Sequence, residues 1–286
     1  MSKTRGLINR IIPFSSVDGP GNRMVIFLQG CNLDCINCHN PHTIGICNYC
    51  GKCIDECPVQ AIKLVEGDSK IDFDEASCQN CDKCLEVCPV NSNPRSRWSG
   101  VEELLDELRA AAPFLSGITI SGGEATQQLD FVRELFARIK DDDQLSQLTT
   151  FIDSNGLLKI EDWKSILPFL DGAMIDLKAV DDLVHRKITG SSNKLVLETL
   201  SFLYRMGKLY EVRLLIIPEL NDQPGQITRT ANYLAEIGKD LRIRLIPFRS
   251  HGVREEYNYL NSPSEEKMIE IKDFFEEKGF KEVVVT

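Results

Sequence analysis

Short apolar runs recur along the chain at Met24–Leu28, Gly117–Ser121, Thr149–Asp153, Ala173–Leu177, Val212–Ile217, Ile243–Pro247 and Glu282–Val285. Each is four to six residues long, and their β-branched content suits strands buried on both faces. Between them apolar positions fall three and four apart: Val101, Leu104, Leu105, Leu108; then Leu129, Val132, Phe136, Ile139; then Val196, Thr199, Leu200, Leu203. That is the period of helices with one buried face. Ser99 with Glu102, and Ser262 with Pro263 and Glu265, read as capping boxes, the second with proline at the first helical position. Such alternation predicts an α/β fold, a parallel sheet with helices outside it. About six units fit an open (β/α)6 partial barrel. A closed eight-stranded barrel would need roughly 250 residues, and too few remain once the cysteine-rich stretch is set aside.

Composition changes this picture little. With 42% hydrophobic and 27% charged residues among 286, the chain is globular and long enough for one large core plus a small insert. No apolar stretch reaches the ~18 residues of a membrane span, and MSKTRGLINR has no signal-peptide apolar region. A soluble, cytoplasmic protein without a membrane partner is expected. A net charge of −10, with no Lys/Arg cluster to displace counterions, argues against a nucleic-acid partner.

The cysteines change it most. All eleven lie between Cys31 and Cys88, and an odd count without a secretory signal fits a disulfide framework poorly. CNYCGKCIDECP from Cys47 and CQNCDKCLEVCP from Cys78 are both C-x2-C-x2-C-x3-C-P. This is the bacterial ferredoxin run, in which the fourth cysteine ligates the other run's cluster. Cys47, Cys50, Cys53 and Cys88 would hold one [4Fe–4S] cluster, and Cys78, Cys81, Cys84 and Cys57 a second. Four-cysteine zinc sites are the competing reading, since C-x-x-C pairs also suit tetrahedral zinc. Cys31, Cys35 and Cys38, spaced C-x3-C-x2-C, remain. Three thiolates on a third cube leave one iron without a protein ligand, and an open position marks a catalytic metal site.

The predicted strands place these motifs. The three-cysteine loop follows the first parallel strand, and the next helix starts near Ser99, so the two-cluster segment lies inside the first β-to-α connection. The expected division is 1–40 for the start of the core with the catalytic loop, 41–94 for a ferredoxin-like insert, and 95–286 for the rest of the barrel. Cys47–Asn93 carries nine acidic residues and four lysines, read as a docking face or as an ordinary solvated surface. Active sites of parallel sheets lie at the carboxyl ends of strands. There the chain has Ser121-Gly122-Gly123-Glu124-Ala125-Thr126, Asp153-Ser154-Asn155-Gly156 and Met174-Ile175-Asp176-Leu177-Lys178. A plain Gly-Gly turn and a structural Asp–Lys pair are the alternatives for the first and last.

Cys-x3-Cys-x2-Cys beside an open cluster resembles the radical SAM superfamily. That resemblance implies S-adenosylmethionine chelated to the open iron and cleaved by one electron to methionine and a 5′-deoxyadenosyl radical. Ser16-Val17-Asp18-Gly19-Pro20-Gly21-Asn22-Arg23, Phe27-Leu28-Gln29-Gly30-Cys31, Cys38-His39-Asn40-Pro41, Gly122-Gly123-Glu124, Asp153-Ser154-Asn155-Gly156, Asp176-Leu177-Lys178 and Pro247-Phe248 are similar to glycyl radical enzyme activating enzymes. The wording IIPFSSVDGPG, CINCHNP and DGAMIDLKA looks most like the YjjW branch. The resemblance implies contacts from Gly122 and Gly123 to the methionyl end of S-adenosylmethionine, and from Asp176 and Lys178 to its ribose and carboxylate region, with Glu124 and Asn155 as further cofactor-binding candidates. It implies a monovalent-cation site from Asp153, Ser154 and the Met174 carbonyl, beside that carboxylate. Asn37 and His39 flank Cys38, where backbone contacts would reach the adenine. Two departures stand out: Asn37 occupies a position that is often aromatic, and Pro247-Phe248-Arg249 replaces Pro-Tyr-His, leaving Arg249 or His251 to cover the ring. The implied partners are a glycyl radical enzyme and a flavodoxin or ferredoxin donor, in anaerobic metabolism. The alternatives are a radical S-adenosylmethionine enzyme acting on a small molecule or peptide, and a ferredoxin-type electron carrier.

Overall fold

The computed structural model describes residues 4–65 and 70–286. Residues 1–3, which begin the N-terminal stretch, and residues 66–69, with Glu66 and Asp68 of the acidic count, lie outside the described residues.

The strands are β1 (Arg5–Ser15), β2 (Arg23–Leu28), β3 (Ile62–Leu64), β4 (Ile71–Phe73), β5 (Arg97–Gly100), β6 (Gly117–Gly122), β7 (Thr149–Ser154), β8 (Gly172–Asp176), β9 (Leu209–Ile216), β10 (Arg242–Pro247) and β11 (Glu282–Val285). The helices are α1 (Lys52–Asp55), α2 (Lys83–Glu86), α3 (Val101–Ala111), α4 (Leu129–Asp141), α5 (Ile160–Ile166), α6 (Asp182–Thr189), α7 (Lys194–Arg205), α8 (Pro224–Ile237) and α9 (Glu265–Glu277). One nine-stranded sheet runs β11-β10-β9-β8-β7-β6-β2-β1-β5. Its strands from β2 through β11 pair in parallel, while β1 is antiparallel to both β2 and β5. Six strand–helix units followed by β11 give the mostly parallel arrangement of a partial (β/α) barrel.

Strand alternation sorts the side chains. Ile26, Ile118, Ile120, Ile152, Ala173, Ile175, Val212, Leu214, Ile243 and Leu245 join Leu104, Leu105, Val132, Phe136, Leu200 and Leu203 of the helices in one large core. The intervening residues face the other way and include Ser121, Asp153, Met174, Asp176, Glu211, Arg213 and Arg244. At the amino ends of the strands that inner face is closed by Arg23, which is fully buried. Its guanidinium donates to Thr119 Oγ1, Thr149 Oγ1 and the Ile118 and Thr149 carbonyls and lies 4.3 Å from the Phe151 ring centroid. Burial lowers its pKa to about 10, still above neutral pH, so it stays charged.

Both expected helix caps are corrected. Ser99 is the fully buried third residue of β5, paired with Gly6, and α3 starts after Gly100 without a side-chain cap. Strand pairing had already claimed the backbone that the box required. The last helix begins two residues later than expected, and its cap is Ser264, whose side chain accepts from Lys267 N–H. No helix among the described residues is long and apolar enough to cross a membrane.

Between β2 and β5 the chain leaves the sheet. β3 and β4 form their own antiparallel pair, packed on a small core of Cys53, Ile62 and Cys84. Gln29, 1% exposed, anchors the excursion. Its Nε2 donates to the His42 and Gly45 carbonyls at 2.8 and 2.6 Å, and its Oε1 accepts from Ser96 Oγ at 3.0 Å.

Candidate active site

The three-cysteine loop starts where β2 ends and is stitched to its surroundings by backbone bonds. Gly30 and Cys31 N–H donate to the Thr43 and Ile44 carbonyls at 2.8 and 3.0 Å, and Ile36 N–H donates to the Ile188 carbonyl of α6 at 3.0 Å. Ile36 packs on a second apolar cluster that includes Ile188, Leu215, Ile217 and Phe248. The loop thus sits over the carboxyl ends of the parallel strands.

Gly122 and Gly123 meet that loop closely. A Cβ on Gly122, at φ +124°, would lie 2.2 Å from Leu28 N, and one on Gly123 would lie 2.4 Å from the Gly30 carbonyl oxygen. Backbone approach therefore requires both glycines. Glu124 is 2% exposed. Its carboxylate accepts from Thr126 N–H and Oγ1, Ser154 Oγ and Asn155 N–H at 2.7–3.0 Å. Burial pushes its carboxyl up, with these donors opposing. Glu124 thus ties the ends of β6 and β7 together, with its oxygens turned into the protein. Asn155 Nδ2 continues the tie to Asn32 Oδ1 of the cysteine loop at 2.7 Å.

The charged groups come from β7, from the end of β8 and from β9. Asp153 accepts from Ser121 Oγ at 2.9 Å and pairs with Arg213 at 3.0 Å. Burial pushes its carboxyl up, with Arg213 opposing. Arg213 Nη2 also reaches Met174 Sδ at 2.9 Å. Lys178 Nζ lies 2.7 Å from Asp176. Burial disfavours its charge, but Asp176 and Cys35 raise its pKa well above the ordinary lysine value. An ammonium thus stands beside the cysteine loop.

Burial raises the Cys31 thiol to about 12 and the Cys35 thiol to about 11. Buried thiols of this kind stay protonated unless a metal displaces the protons. Around Cys38, Asn37 Oδ1 and His39 Nε2 are buried without a hydrogen-bond partner. Burial also lowers the His39 pKa, leaving a neutral ring 5.9 Å from Phe248. Buried polar atoms of this sort call for a partner, and a ligand bound beside Cys38 would supply one. Arg249 and His251 are exposed. Phe248 is fully buried, so it packs beneath His39 instead of offering a free face.

In the excursion, Cys47, Cys50, Cys53 and Cys88 line one cavity and Cys57, Cys78, Cys81 and Cys84 another, each about 320 Å³ with its solvent mouth. This is the grouping expected from the cysteine spacing. Backbone N–H groups point at the sulfurs: Leu33 to Cys31, Tyr49 to Cys47 and Ala61 to Cys57 at 3.2–3.4 Å. Such donors suit thiolates on iron–sulfur clusters, so the residues fit the groups expected of them.

Sequence reasoning missed Arg213 and Arg254. Arg213 was legible as a charge alternating with Glu211 in an apolar strand. Arg254 was not, because it lies in a loop remote in sequence. Its guanidinium pairs with Asp34 at 2.8 Å and donates to the Cys35 carbonyl at 3.3 Å, clamping the cysteine loop from outside.

Comparison with known proteins agrees with this geometry. The Radical SAM superfamily model matches residues 25–231. The trans-4-hydroxy-L-proline dehydratase activating enzyme of Clostridioides difficile is 32% identical, covering 92% of this chain and 93% of its own length. The isethionate sulfite-lyase activating enzyme of Nitratidesulfovibrio vulgaris is 31% identical, covering 91% of this chain and 89% of its own. Among solved structures, QueE from Escherichia coli superposes with a TM-score of 0.56 at 12% identity, over 99% of this chain and 94% of that one, which speaks for the fold alone. The chain belongs to the radical SAM superfamily and, within it, to the glycyl radical enzyme activating enzymes.

Proposed function

We propose that this protein activates a partner enzyme by installing a radical on one of its glycines. The observation that carries the site is the convergence of the Cys31–Cys35–Cys38 loop with Lys178 at the carboxyl ends of the parallel strands. When bound, the cluster supplies one electron to S-adenosylmethionine, giving methionine and a 5′-deoxyadenosyl radical that takes a Cα hydrogen from the partner's glycine. Every other task falls to the protein. Lys178, held by Asp176, offers a positive charge to the carboxylate of the cofactor. Asn37 Oδ1 and His39 Nε2 offer acceptors to the adenine amino group, a neutral imidazole being able to accept. Glu124 and Asn155 fix the cysteine loop against β7, and Arg254 fixes it from outside. Asp153, Ser154 and the Met174 carbonyl form the candidate monovalent-cation site. No acid or base is needed for the hydrogen transfer, so positioning and exclusion of water are what the fold contributes.

The finer reading places the chain in the YjjW branch, with residues 41–94 as a ferredoxin-like insert holding two further [4Fe–4S] clusters. It is supported by the two four-cysteine cavities and by the separate β3–β4 sheet. A flavodoxin or ferredoxin would donate the electron, in the cytoplasm.

The test is anaerobic mixing of the reduced, reconstituted protein, S-adenosylmethionine and a candidate glycyl radical enzyme, followed by electron paramagnetic resonance. A glycyl doublet that needs all three components is expected. Cofactor cleavage without a doublet, for every glycyl radical enzyme of the host, would sink the activase reading while leaving the superfamily intact.

A further inference from the structure

The two cysteine runs repeat each other in conformation as well as in sequence. Cys47 and Cys78 begin runs offset by 31 residues, and the backbone follows that offset. Tyr49 and Asn80 take φ of 59° and 53°, Gly51 and Asp82 take 80° and 59°, and Gln60 and Asn91 take 53° and 51°. Tyr49 and Asn80 N–H donate to Cys47 and Cys78 Sγ at 3.4 Å. Ala61 and Ser92 N–H donate to Cys57 and Cys88 Sγ at 3.2 Å. Each cavity receives one bond of each kind. Hydrogen bonds to sulfur and local charge both tune a cluster's potential. With these bonds matched, charge decides.

Charge is where the halves part. Arg95 lines the second cavity. Its guanidinium is held by Asp82 at 2.8 Å, Asn93 Oδ1 at 3.2 Å and Asn80 Oδ1 at 3.4 Å. The position 31 residues earlier is Leu64, 45% exposed, and Asp82 stands where the first half has Gly51. The Arg95 side chain is 18% exposed against 57% for Asp82, so water screens the anion more than the cation. Among the described residues no arginine lines the first cavity, and its Lys52 is exposed.

We propose that Arg95 makes the two insert clusters unequal, raising the reduction potential of the one held by Cys57, Cys78, Cys81 and Cys84 above that of its twin. This rests on the two-cluster reading of the insert. One electron from a low-potential donor of the flavodoxin or ferredoxin class takes either cluster from its 2+ to its 1+ state without a proton. A fixed, poorly solvated cation favours that added negative charge. The electron therefore rests on the second cluster, and the first is the stronger reductant.

The test uses the full chain with Cys31, Cys35 and Cys38 changed to alanine, reconstituted and titrated under potential control with paramagnetic resonance detection. Two reduction waves and about eight irons are expected. Arg95→Gln should lower the upper wave towards the other, Arg95→Lys should keep the split, and Asp82→Asn should raise the upper wave. Iron for only one cluster, or none, in the parent would overturn the two-cluster reading and this proposal with it. With iron in place, an Arg95→Gln titration that leaves both waves still or moves them equally overturns the proposal alone. Should Arg95→Gln shed iron, Asp82→Asn decides, and an unmoved upper wave then overturns it.

Discussion

The barrel and the insert are held together by different physics. The barrel encloses a continuous apolar core built from every parallel strand and the helices behind them. The insert has four buried apolar residues among those described, Cys53, Ala61, Ile62 and Cys84, and two of them are cysteines. So small a core cannot offset the entropy of ordering some fifty residues. On the proposed two-cluster reading, metal ligation supplies the remaining order, as in small metal-dependent domains. One region is stable by burial, and on that reading the other is stable by coordination.

The largest effect expected from this contrast is the response to iron removal. Anaerobic chelation should open the insert to proteolysis between about residues 46 and 95 while the barrel keeps its far-ultraviolet circular dichroism. An insert that resists protease without iron would erase the distinction. On the barrel side, Phe136→Ala should cost about 3–5 kcal/mol in denaturant unfolding, because its ring is fully buried, and should leave the iron content of the folded protein unchanged.

A smaller effect separates ligand binding from metal binding. Lys178→Ala should weaken S-adenosylmethionine at least about tenfold, roughly 1.4 kcal/mol, with iron retained. Wild-type affinity in a variant that melts normally would remove Lys178 from the cofactor site. The smallest effect is a pH dependence confined to the barrel. Burial disfavours the Glu211 charge, yet Arg244 and Arg213 hold its carboxyl below the ordinary value of 4.5. A depressed folded pKa means that its contribution is whole above the unfolded value and fades as pH falls through the folded one. The stability gap between wild type and Glu211→Gln should therefore narrow only below about pH 4.5. A gap that stays constant down to pH 3 would show that the charge is not what Glu211 contributes.

The same contrast governs what could be read from the sequence. The parallel strands were legible because each carries a short run rich in β-branched and apolar residues, most of them buried, even where Arg213 or Arg244 interrupts it. β1 was not recognised as a strand, since Asn9, Arg10 and Pro13 interrupt its run and it gains its place by antiparallel pairing with β2. Ser99 looked like a helix cap because a local motif cannot show that Gly6 lies across the sheet. The two cavities group the insert cysteines as the ferredoxin spacing implies, with the fourth cysteine of each run crossing to the other; local geometry within one run would not have shown that crossing. Glu124 illustrates the limit. A carboxylate at a strand end suggests a ligand, and only three-dimensional packing shows four protein donors already on it.

Gln29 makes the excursion separable from the sheet in space. One side-chain amide holds the chain as it departs, at His42 and Gly45, and as it returns, at Ser96. Departure and return are therefore neighbours in space, and the catalytic loop beside them is anchored to the barrel by contacts of its own. A segment pinned in this way is a cassette, whose removal would leave the sheet threaded as it is. A shortened chain in which a brief turn joins Gly45 to Ser96 should still fold its barrel and keep the Cys31, Cys35 and Cys38 site.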